Sequence, residues 1–294
     1  MPTIAVLSDI HGNLPALQAV VADLKTWHPD ATYVLGDMVN VCPWPTEALD
    51  LIQAAGWPMI LGNHDDAILQ LGSPRMEPRY AVRPRYPTLW WTREHLSPAH
   101  LSLLASLPLE LTPPSADGTP AMRMVHGVPG CFLMGFRPDS PEAWALQRLS
   151  AVAEDVVVAG HTHVPMTRRI GRWFVVNSGS VGVPYDGDPR ASYAWLHVPE
   201  KACSPAGNAM WQAGIRRVPY DLEALDAGFR ESGLLAEGAM AEMGRRSALN
   251  GLPWLSDFVW WMRDQPEAEL DDMQAALARY DASHGPGRWA FPFA

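Results

Sequence analysis

The chain has 294 residues, of which 48% are hydrophobic, and this length allows a substantial core in one large domain or in a domain with an appendage. Its 22 basic and 32 acidic residues give a formal net charge of −10, which argues against a broad basic face that binds a nucleic acid duplex. A phosphate-bearing substrate is still compatible with this charge, because bound metal cations would add local positive charge.

The start of the chain lacks a basic segment followed by a long apolar one, so we expect no signal peptide. No stretch approaches the ~18 consecutive apolar residues of a membrane span. The three cysteines, Cys42, Cys131 and Cys203, are far apart and odd in number, which disfavours a disulfide framework and a structural zinc site. The sequence therefore predicts a cytoplasmic protein without a membrane partner.

Short apolar runs alternate with segments of helical periodicity from the start of the chain. A helical pattern follows the first run, and another spans Thr46–Ala55. This alternation predicts an α/β fold with helices on the faces of a sheet, and a hairpin at Ile170–Trp173 predicts that the sheet is mixed in its later part. The predicted strands are Thr3–Leu7, Tyr33–Leu35, Met59–Leu61, Met122–Val125, Val156–Ala159 and Trp173–Val176.

Two stretches interrupt this rhythm. Residues 73–92 are rich in Pro, Arg, Tyr and Trp, and they predict a lid or a loop that leaves the core. Residues 112–120 predict an exposed loop. Beyond residue 219 the pattern is helical, so we predict one unit at residues 1–219 and a helical C-terminal region at residues 220–294 that packs on it.

Polar side chains follow six of the apolar runs in succession. One such residue at a strand end is more often a turn or a cap, but six in series form a collective pattern. Ligands of open α/β sheets bind outside the carboxyl ends of the strands, so we expect these side chains to converge. The segments are Asp9–Asn13, Asp37–Asn40, Asn63–Asp65, His126–Gly127, His161–His163 and Asn177–Ser180.

The chemistry of these side chains indicates a metal centre. Neutral imidazoles and carboxylates suit first-row transition metals such as manganese, iron, zinc and nickel. Seven candidate ligands are too many for one ion, but they suit two ions ~3.5–4 Å apart that share a bridging carboxylate.

The motif series DxH, GDxxN, GNHD, VHG and GHTH resembles that of the calcineurin-like metallophosphoesterases over roughly residues 3–200. The resemblance implies a four-layer αββα sandwich of two mixed β-sheets. It also implies that His64 contacts the scissile phosphate and assists the leaving group. One metal would be held by Asp9, His11, Asp37 and His163, and the second by Asp37, Asn63, His126 and His161, with Asp37 as the bridge.

The resemblance therefore predicts a dinuclear hydrolase that acts on ester bonds, with Asp37 and His64 as catalytic residues. A hydroxide held between two cations is a nucleophile at neutral pH, so we expect in-line attack by water without a phosphoenzyme. The expected substrate is a small phosphodiester or a nucleotide phosphate. We expect manganese as the native metal, with iron, zinc and nickel as alternatives.

Two other functions have to be weighed. Related Ser/Thr protein phosphatases carry a GDxxDRG motif, whereas Gly36–Cys42 lacks its arginine, which disfavours a protein phosphatase. A non-catalytic scaffold with the same fold is disfavoured because every ligand position holds a competent residue. Trp91–Ser97 and Val218–Asp221 are similar to a prokaryotic subgroup of phosphodiesterases and diadenosine-tetraphosphatase-like enzymes.

Candidate substrate contacts come from the second motif, from residues 73–92 and from the stretch beyond His126. They are Asn40, Arg83, Arg85, Tyr86 and Arg137, since arginines bind phosphates and aromatic rings stack on bases. The alternative for residues 73–92 is a surface loop with packed aromatic rings and solvated arginines. Trp260 and Trp261 are expected to pack the C-terminal helices onto the sandwich, although an oligomer contact through them is the alternative.

Overall fold

The computed structural model describes residues 3–114, 119–199 and 211–283. The strands are β1 Thr3–Leu7, β2 Ala31–Val34, β3 Glu110–Leu111, β4 Met122–Val125, β5 Val156–Ala159, β6 Met166–Ile170, β7 Trp173–Asn177, β8 Ala191–His197 and β9 Gln212–Val218. The helices are α1 Leu14–Trp27, α2 Pro45–Ala54, α3 Asn63–Gln70, α4 Pro87–His95, α5 Pro98–Ser106, α6 Glu142–Leu149, α7 Leu222–Glu231, α8 Ala239–Asn250, α9 Trp254–Arg263 and α10 Met273–Ser283.

The strands form two mixed sheets. The first has the order β2-β1-β8-β9, in which β1 is parallel to β2 and antiparallel to β8. The second has the order β3-β4-β5-β7-β6, in which β4, β5 and β7 are parallel and the two edge strands are antiparallel. The predicted α/β class and the predicted pair of mixed sheets are confirmed.

Strand β1 shows why the sheets stack. Ile4 and Val6 point into a cluster that also contains Met124 of β4 and Val158 of β5, so this cluster joins the two sheets. Alternate residues of a strand face opposite sides, and Leu7 accordingly packs with α1 on the other face. Helix α6 covers the outer face of the second sheet, which completes the four layers.

The structure differs from the strands predicted from the sequence in two places. The predicted strand Met59–Leu61 is only a single parallel bridge between Val34 and Met59, because the chain turns directly into α3. Strands β8 and β9 were missed, although β8 is the antiparallel partner of β1. The predicted hairpin is confirmed, since Ile170 pairs with Trp173.

Residues 73–92 are more helical than a lid or loop would be. They contain two short 3-10 turns, Pro78–Ala81 and Arg83–Arg85, and the first part of α4. Tyr80 and Tyr86 pack partly against the core of the first sheet.

From β9 to residue 283 the described chain is helical. Phe258, Trp261 and Tyr280 form the centre of its core, which also contains Val41 and Val183 from the sandwich. Phe258 and Trp261 of α9 therefore pack within the chain, as expected for Trp261, whereas Trp260 is not part of this core. Residues 284–294 and Cys203 lie outside the described residues. Among the described residues, no helix has the length and apolar character needed to cross a membrane.

Candidate metal centre

Four strand ends bring the predicted ligands to one edge of the sandwich. Asp9 and His11 follow β1, and Asp37 follows β2 in the first sheet. In the second sheet His126 directly follows β4, and His161–His163 follow β5. The closest atoms of these side chains lie 3–4 Å apart, so residues from both sheets converge on one buried site.

The first group of ligands is Asp9, His11, Asp37 and His163, whose candidate ligand atoms all lie within 4.8 Å of one another. The Nε2 atoms of His11 and His163 are 3.2 Å apart. His163 Nε2 lies 3.2 Å from Asp9 Oδ1, and His11 Nε2 lies 3.8 Å from Asp37 Oδ2. All four side chains are buried, so they form a closed set of oxygen and nitrogen donors.

The second group lies beside the first. Asn63 Oδ1 lies 3.0 Å from His126 Nε2 and 2.8 Å from His161 Nδ1. Asp37 Oδ2 lies 3.3 Å from His126 Nε2. The same Asp37 oxygen therefore lies within 4 Å of histidines from both groups.

The oxygen Oδ1 of Asp9 tests whether this site fits a cation. It is buried and accepts no hydrogen bond from the described residues. It nevertheless lies 3.2–4.0 Å from the Nε2 atoms of His163, His11 and His126. A buried carboxylate oxygen without a donor is costly unless a cation neutralises it. The donor set and this oxygen together suit divalent metal binding.

The charges of the site lead to the same conclusion. Burial lowers the pKa of His11 to about 3 and the pKa of His161 to about 4, so both imidazoles are neutral and able to bind a metal. Burial also disfavours the charged form of His126, but the carboxylate of Asp37 outweighs it and raises the pKa to about 10. The carboxylates therefore require positive charge beside them, which a proton or a cation can supply.

Backbone carbonyls orient two of the imidazoles. Nδ1 of His126 contacts the carbonyl of Leu35 at 2.6 Å, and Nδ1 of His163 contacts that of Val183 at 2.5 Å. Because a carbonyl only accepts, each Nδ1 carries a proton, which leaves Nε2 as the nitrogen of each ring that can bind a cation once it is deprotonated.

Most ligand-bearing loop residues have left-handed backbone conformations. The φ angles are 55° at Asp9, 54° at His11, 52° at Asp37, 66° at His161 and 59° at His163. Such angles are uncommon for residues with a Cβ and cost about 1–2 kcal/mol each. The loops turn sharply at these positions, which directs consecutive ligands toward the same point.

The loop that carries the histidines approaches β1 so closely that Gly160 is required. A Cβ atom at Gly160 would overlap the hydroxyl of Ser8 and lie 2.6 Å from Asp9 Oδ2. The amide of His161 donates to that same oxygen at 2.9 Å. This glycine therefore allows the loops of the two sheets to meet.

The segment Asn177–Ser180 supports the site from behind. Asn177 Nδ2 donates to the carbonyl of Gly160 at 2.7 Å, and Ser180 Oγ donates to the carbonyl of Asp9 at 2.7 Å. Both side chains are buried. The sixth polar segment of the sequence therefore holds the loops that carry the ligands.

Asp65 is a supporting residue that the sequence analysis quoted without assigning a role. Its carboxylate accepts hydrogen bonds from the amides of Asp37 at 2.8 Å, Met38 at 3.0 Å, Val39 at 3.3 Å and Gly62 at 3.1 Å. Burial and the nearby charge of Asp37 raise the pKa of Asp65 to about 7. The GNHD motif thus contains the residue that shapes the loop of Asp37.

We expect Asp65→Ala to lower the free energy of unfolding by about 3 kcal/mol, because four buried amides lose their acceptor. Urea denaturation measures this change, and the affinity for manganese should fall about 10- to 100-fold in calorimetry. The matched control is Asp66→Asn, whose carboxylate contacts the side chains of Gln70 and Arg75 instead. Equal effects of the two substitutions would contradict the role of Asp65.

A cavity of about 390 Å³ opens onto the ligands. The ligand-bearing end contains His11, Asp37, Asn63, His161 and His163, with His64 beside them. The cavity volume lies in the range of small-molecule sites. The metal centre is therefore accessible to a ligand larger than a phosphate ion.

Comparison with protein families identifies this arrangement. The model of the calcineurin-like phosphoesterase superfamily domain matches residues 3–201, which is more than half of the chain. The chain belongs to the calcineurin-like phosphoesterase superfamily. The resemblance predicted from the motif series is thus confirmed.

Three relatives resemble this metallophosphoesterase over most of its length. A metallophosphoesterase from Sphaerobacter thermophilus is 28% identical in sequence to this chain, and the two structures superpose with a TM-score of 0.64. The match covers 84% of this chain and 99% of the other. The hypothetical protein PH1004 from Pyrococcus horikoshii OT3 is 23% identical and shares the fold, with a TM-score of 0.67 over 85% and 99% of the two chains. The uncharacterized protein MJ0912 of Methanocaldococcus jannaschii is 29% identical over 65% of this chain and 80% of its own.

In this metallophosphoesterase His64 lies next to the ligands but outside both groups. Its ring centre is 4.8 Å from that of His11, and its Nδ1 lies 2.7 Å from Asn40 Nδ2. An amide nitrogen only donates, so Nδ1 of His64 accepts and the imidazole proton lies on Nε2. Thr92 Oγ1 is 3.5 Å from Asn40 Oδ1, which agrees with this amide orientation. Asn40 therefore orients His64.

The predicted substrate contacts divide into two sets. Asn40, Tyr86 and Arg137 line the cavity. Arg83 and Arg85 do not, because nearby acceptors hold their side chains elsewhere. Arg83 forms two hydrogen bonds with Glu94 at 2.6 and 2.9 Å, and Arg85 contacts the carbonyl of Glu267 at 3.1 Å. Arg83 and Arg85 therefore agree better with the alternative given above, in which residues 73–92 form a surface segment without a role in substrate binding.

Sequence analysis missed the cavity residues that come from distant parts of the chain. Helix α9 contributes Trp260 and Arg263, and Leu133 and Met134 come from the loop after β4. No motif marks these positions. Trp260 and Trp261 were singled out in the sequence, but consecutive apolar residues do not show which helix face meets the site.

Proposed function

We propose that this protein hydrolyses phosphate esters at a two-metal centre whose cations share Asp37. The observation that carries this proposal is the position of Asp37 Oδ2, which lies 3.8 Å from His11 Nε2 in one ligand group and 3.3 Å from His126 Nε2 in the other. One cation would take Asp9, His11, Asp37 and His163, and the other would take Asp37, Asn63, His126 and His161.

Two divalent cations, when bound, supply Lewis-acid activation of water and neutralise charge on the phosphoryl oxygens. The imidazole and carboxylate donors accept several first-row metals, and we propose manganese as the native one. The expected substrate is a small phosphodiester or a nucleotide phosphate.

The chain itself supplies the proton for the leaving group. His64 lines the cavity beside the ligands, and Asn40 leaves the proton on its Nε2. Burial lowers the pKa of His64 in the free site. A negatively charged phosphoryl group beside the ring would favour the protonated form, so His64 is suited to protonate the leaving oxygen.

The structure also bears on the protein phosphatase alternative. Val41 occupies the position after Asn40, where the protein phosphatase motif has its arginine, and its side chain is only 3% exposed. Gly244 of α8 lies against it, since a Cβ atom there would be 3.0 Å from Val41 Cγ1. The C-terminal helices thus cover the position at which the phosphatases hold phosphate.

Metal add-back is the direct test of the proposed function. We expect the metal-stripped protein to be inactive on bis(p-nitrophenyl) phosphate and p-nitrophenyl phosphate, and manganese to restore hydrolysis of at least one. The release of p-nitrophenol measures the rate, and elemental analysis measures the metal bound per chain. Absence of metal binding would support a non-catalytic scaffold instead.

The same reaction run in oxygen-18 water tests attack of water at phosphorus. We expect one labelled oxygen in each phosphoryl product after a single turnover, as measured by mass spectrometry. An unlabelled phosphoryl product would mean that the carbon–oxygen bond breaks instead of the phosphorus–oxygen bond, and it would contradict the proposed attack.

A further inference from the structure

A second wall of the cavity comes from the C-terminal helices. Met240 of α8 and Leu255, Val259, Trp260 and Arg263 of α9 line it. The family match ends at residue 201, so this wall lies beyond the residues that define the superfamily. The same cavity is therefore lined by the candidate metal ligands of the superfamily domain and by residues of the C-terminal helices.

Most of this second wall is apolar or aromatic. Leu133 lies at its edge with 60% of its surface exposed, and Tyr80 and Tyr86 face the cavity from residues 73–92. Tyr80 and Tyr86 contact each other edge to face, with ring centres 5.2 Å apart. A phosphoryl group needs none of these side chains, whereas a flat apolar ring would bury surface against them.

Two side chains of this wall are polar, Ser256, whose hydroxyl donates to that of Tyr185 at 3.2 Å, and Arg263, which carries a charge. Its guanidinium carbon lies 3.8 Å from the centre of the Trp260 ring. Among residues 3–114, 119–199 and 211–283, no carboxylate lies within 4.0 Å of it. Other arginines of the cavity are paired, since Arg79 contacts Glu77 at 2.9 Å and Arg137 contacts Asp139 at 3.0 Å.

The stacking leaves Arg263 able to bind an anion. A guanidinium that lies on an aromatic face keeps its N–H donors in the plane, where they can reach a carboxylate or a phosphate. The chain has an excess of ten acidic residues over basic ones, yet Arg263 has no acidic partner within the described part of the chain. Trp260 holds the guanidinium in place at little cost in side-chain freedom.

We propose that the substrate of this site is a phosphate ester whose leaving group contains a flat apolar ring and a second anionic group, with Trp260 against the ring and Arg263 on the anion. This inference rests on the proposed function, because it assumes that the phosphoryl group lies at the metal ligands. Trp260 and Arg263 are specificity-determining residues in this arrangement and take no part in proton transfer.

Non-hydrolysable phosphonates test the inference by binding alone. The probes are methylphosphonate, phenylphosphonate, 4-carboxyphenylphosphonate and 4-(2-carboxyethyl)phenylphosphonate, titrated calorimetrically into the full-length manganese-loaded protein. We expect affinity to rise from methyl to phenyl, and again for at least one of the two carboxylated probes. The two lengths allow for the distance between the phosphoryl group and Arg263.

Two variants assign the contacts. Arg263→Gln should weaken the preferred carboxylated probe about 3- to 10-fold and change phenylphosphonate less than about twofold. Trp260→Leu should weaken all aryl probes and leave methylphosphonate unchanged. The matched control is Arg172→Gln, since Arg172 also stacks on a tryptophan, Trp173 at 4.5 Å, but does not line the cavity.

The outcomes separate this inference from the proposed function. Equal binding of all four probes, or an Arg263→Gln effect that is the same for every probe, would overturn the specificity assignment even if phosphate esters are hydrolysed. Selective binding of a carboxylated probe that Arg263→Gln abolishes would support the assignment even if no ester is hydrolysed, and in that case only the proposed function fails. Thermal unfolding of each variant shows whether a lost affinity reflects a lost fold.

Discussion

Asp37→Asn is expected to lower kcat/KM for phosphate ester hydrolysis by at least about 10³-fold, because the shared carboxylate loses the charge that both cation positions use. The fold should persist. An asparagine keeps an oxygen that can accept from the amide of His64, as Asp37 Oδ1 does at 2.7 Å. The substitution also removes a negative charge that lies beside Asp9 and Asp65. In the wild-type protein this charge disfavours the ionised forms of both carboxylates.

Manganese-dependent hydrolysis, elemental analysis and circular dichroism measure the three parts of this expectation for Asp37→Asn. We expect fewer than two metals per chain and an unchanged far-ultraviolet spectrum. Asp155→Asn is the matched control, since Asp155 pairs with Arg172 at the surface. Near-normal turnover by Asp37→Asn with two bound metals would refute the shared position of this carboxylate.

His64→Gln is expected to lower kcat by about 10²- to 10⁴-fold for esters with a poor leaving group, because it removes the proposed proton donor. The loss should be much smaller for p-nitrophenyl phosphate, whose leaving group departs without protonation. Metal content should stay the same, since His64 belongs to neither ligand group. Comparison of p-nitrophenyl phosphate with phenyl phosphate, at equal manganese occupancy, measures the difference.

Two further variants help to distinguish a proton-donor role of His64 from a phosphate-binding role. Asn40→Ala should reproduce part of the leaving-group dependence, since it releases Nδ1 of His64 while leaving the imidazole in place. Loss of activity to the same extent on both esters would instead indicate that His64 binds the phosphoryl group. His100→Gln serves as the control, because His100 contacts Asp50 at the surface.

The cluster of candidate metal ligands could be predicted from the sequence because local motifs and the expected strand topology agree there. Asp9, Asp37, His126 and His161 each follow an apolar run, and the ends of such strands meet at one edge of a sheet. Strands β8 and β9 lack this advantage. Residues 191–197 mix small, aromatic and polar side chains, and their place beside β1 depends on pairing across nearly two hundred residues.

The substrate side of the cavity was harder to predict for a related reason. Arg83 and Arg263 are both exposed arginines, and only the three-dimensional structure shows that Arg83 pairs with Glu94 whereas Arg263 stacks on Trp260 in the cavity. Local sequence shows which side chains can bind a phosphate. It does not show which of them already have a partner.

The left-handed backbone at Asp9, His11, Asp37, His161 and His163 also sets the direction in which this protein can be altered. Glycine adopts such angles without steric cost, so each of these residues is conformationally less favourable than the glycine that could replace it. Random mutagenesis under selection for thermal stability alone would therefore favour loss of the metal centre. Stability and chemistry oppose each other at these positions, and an engineered variant has to gain its stability in the helices or the sheets.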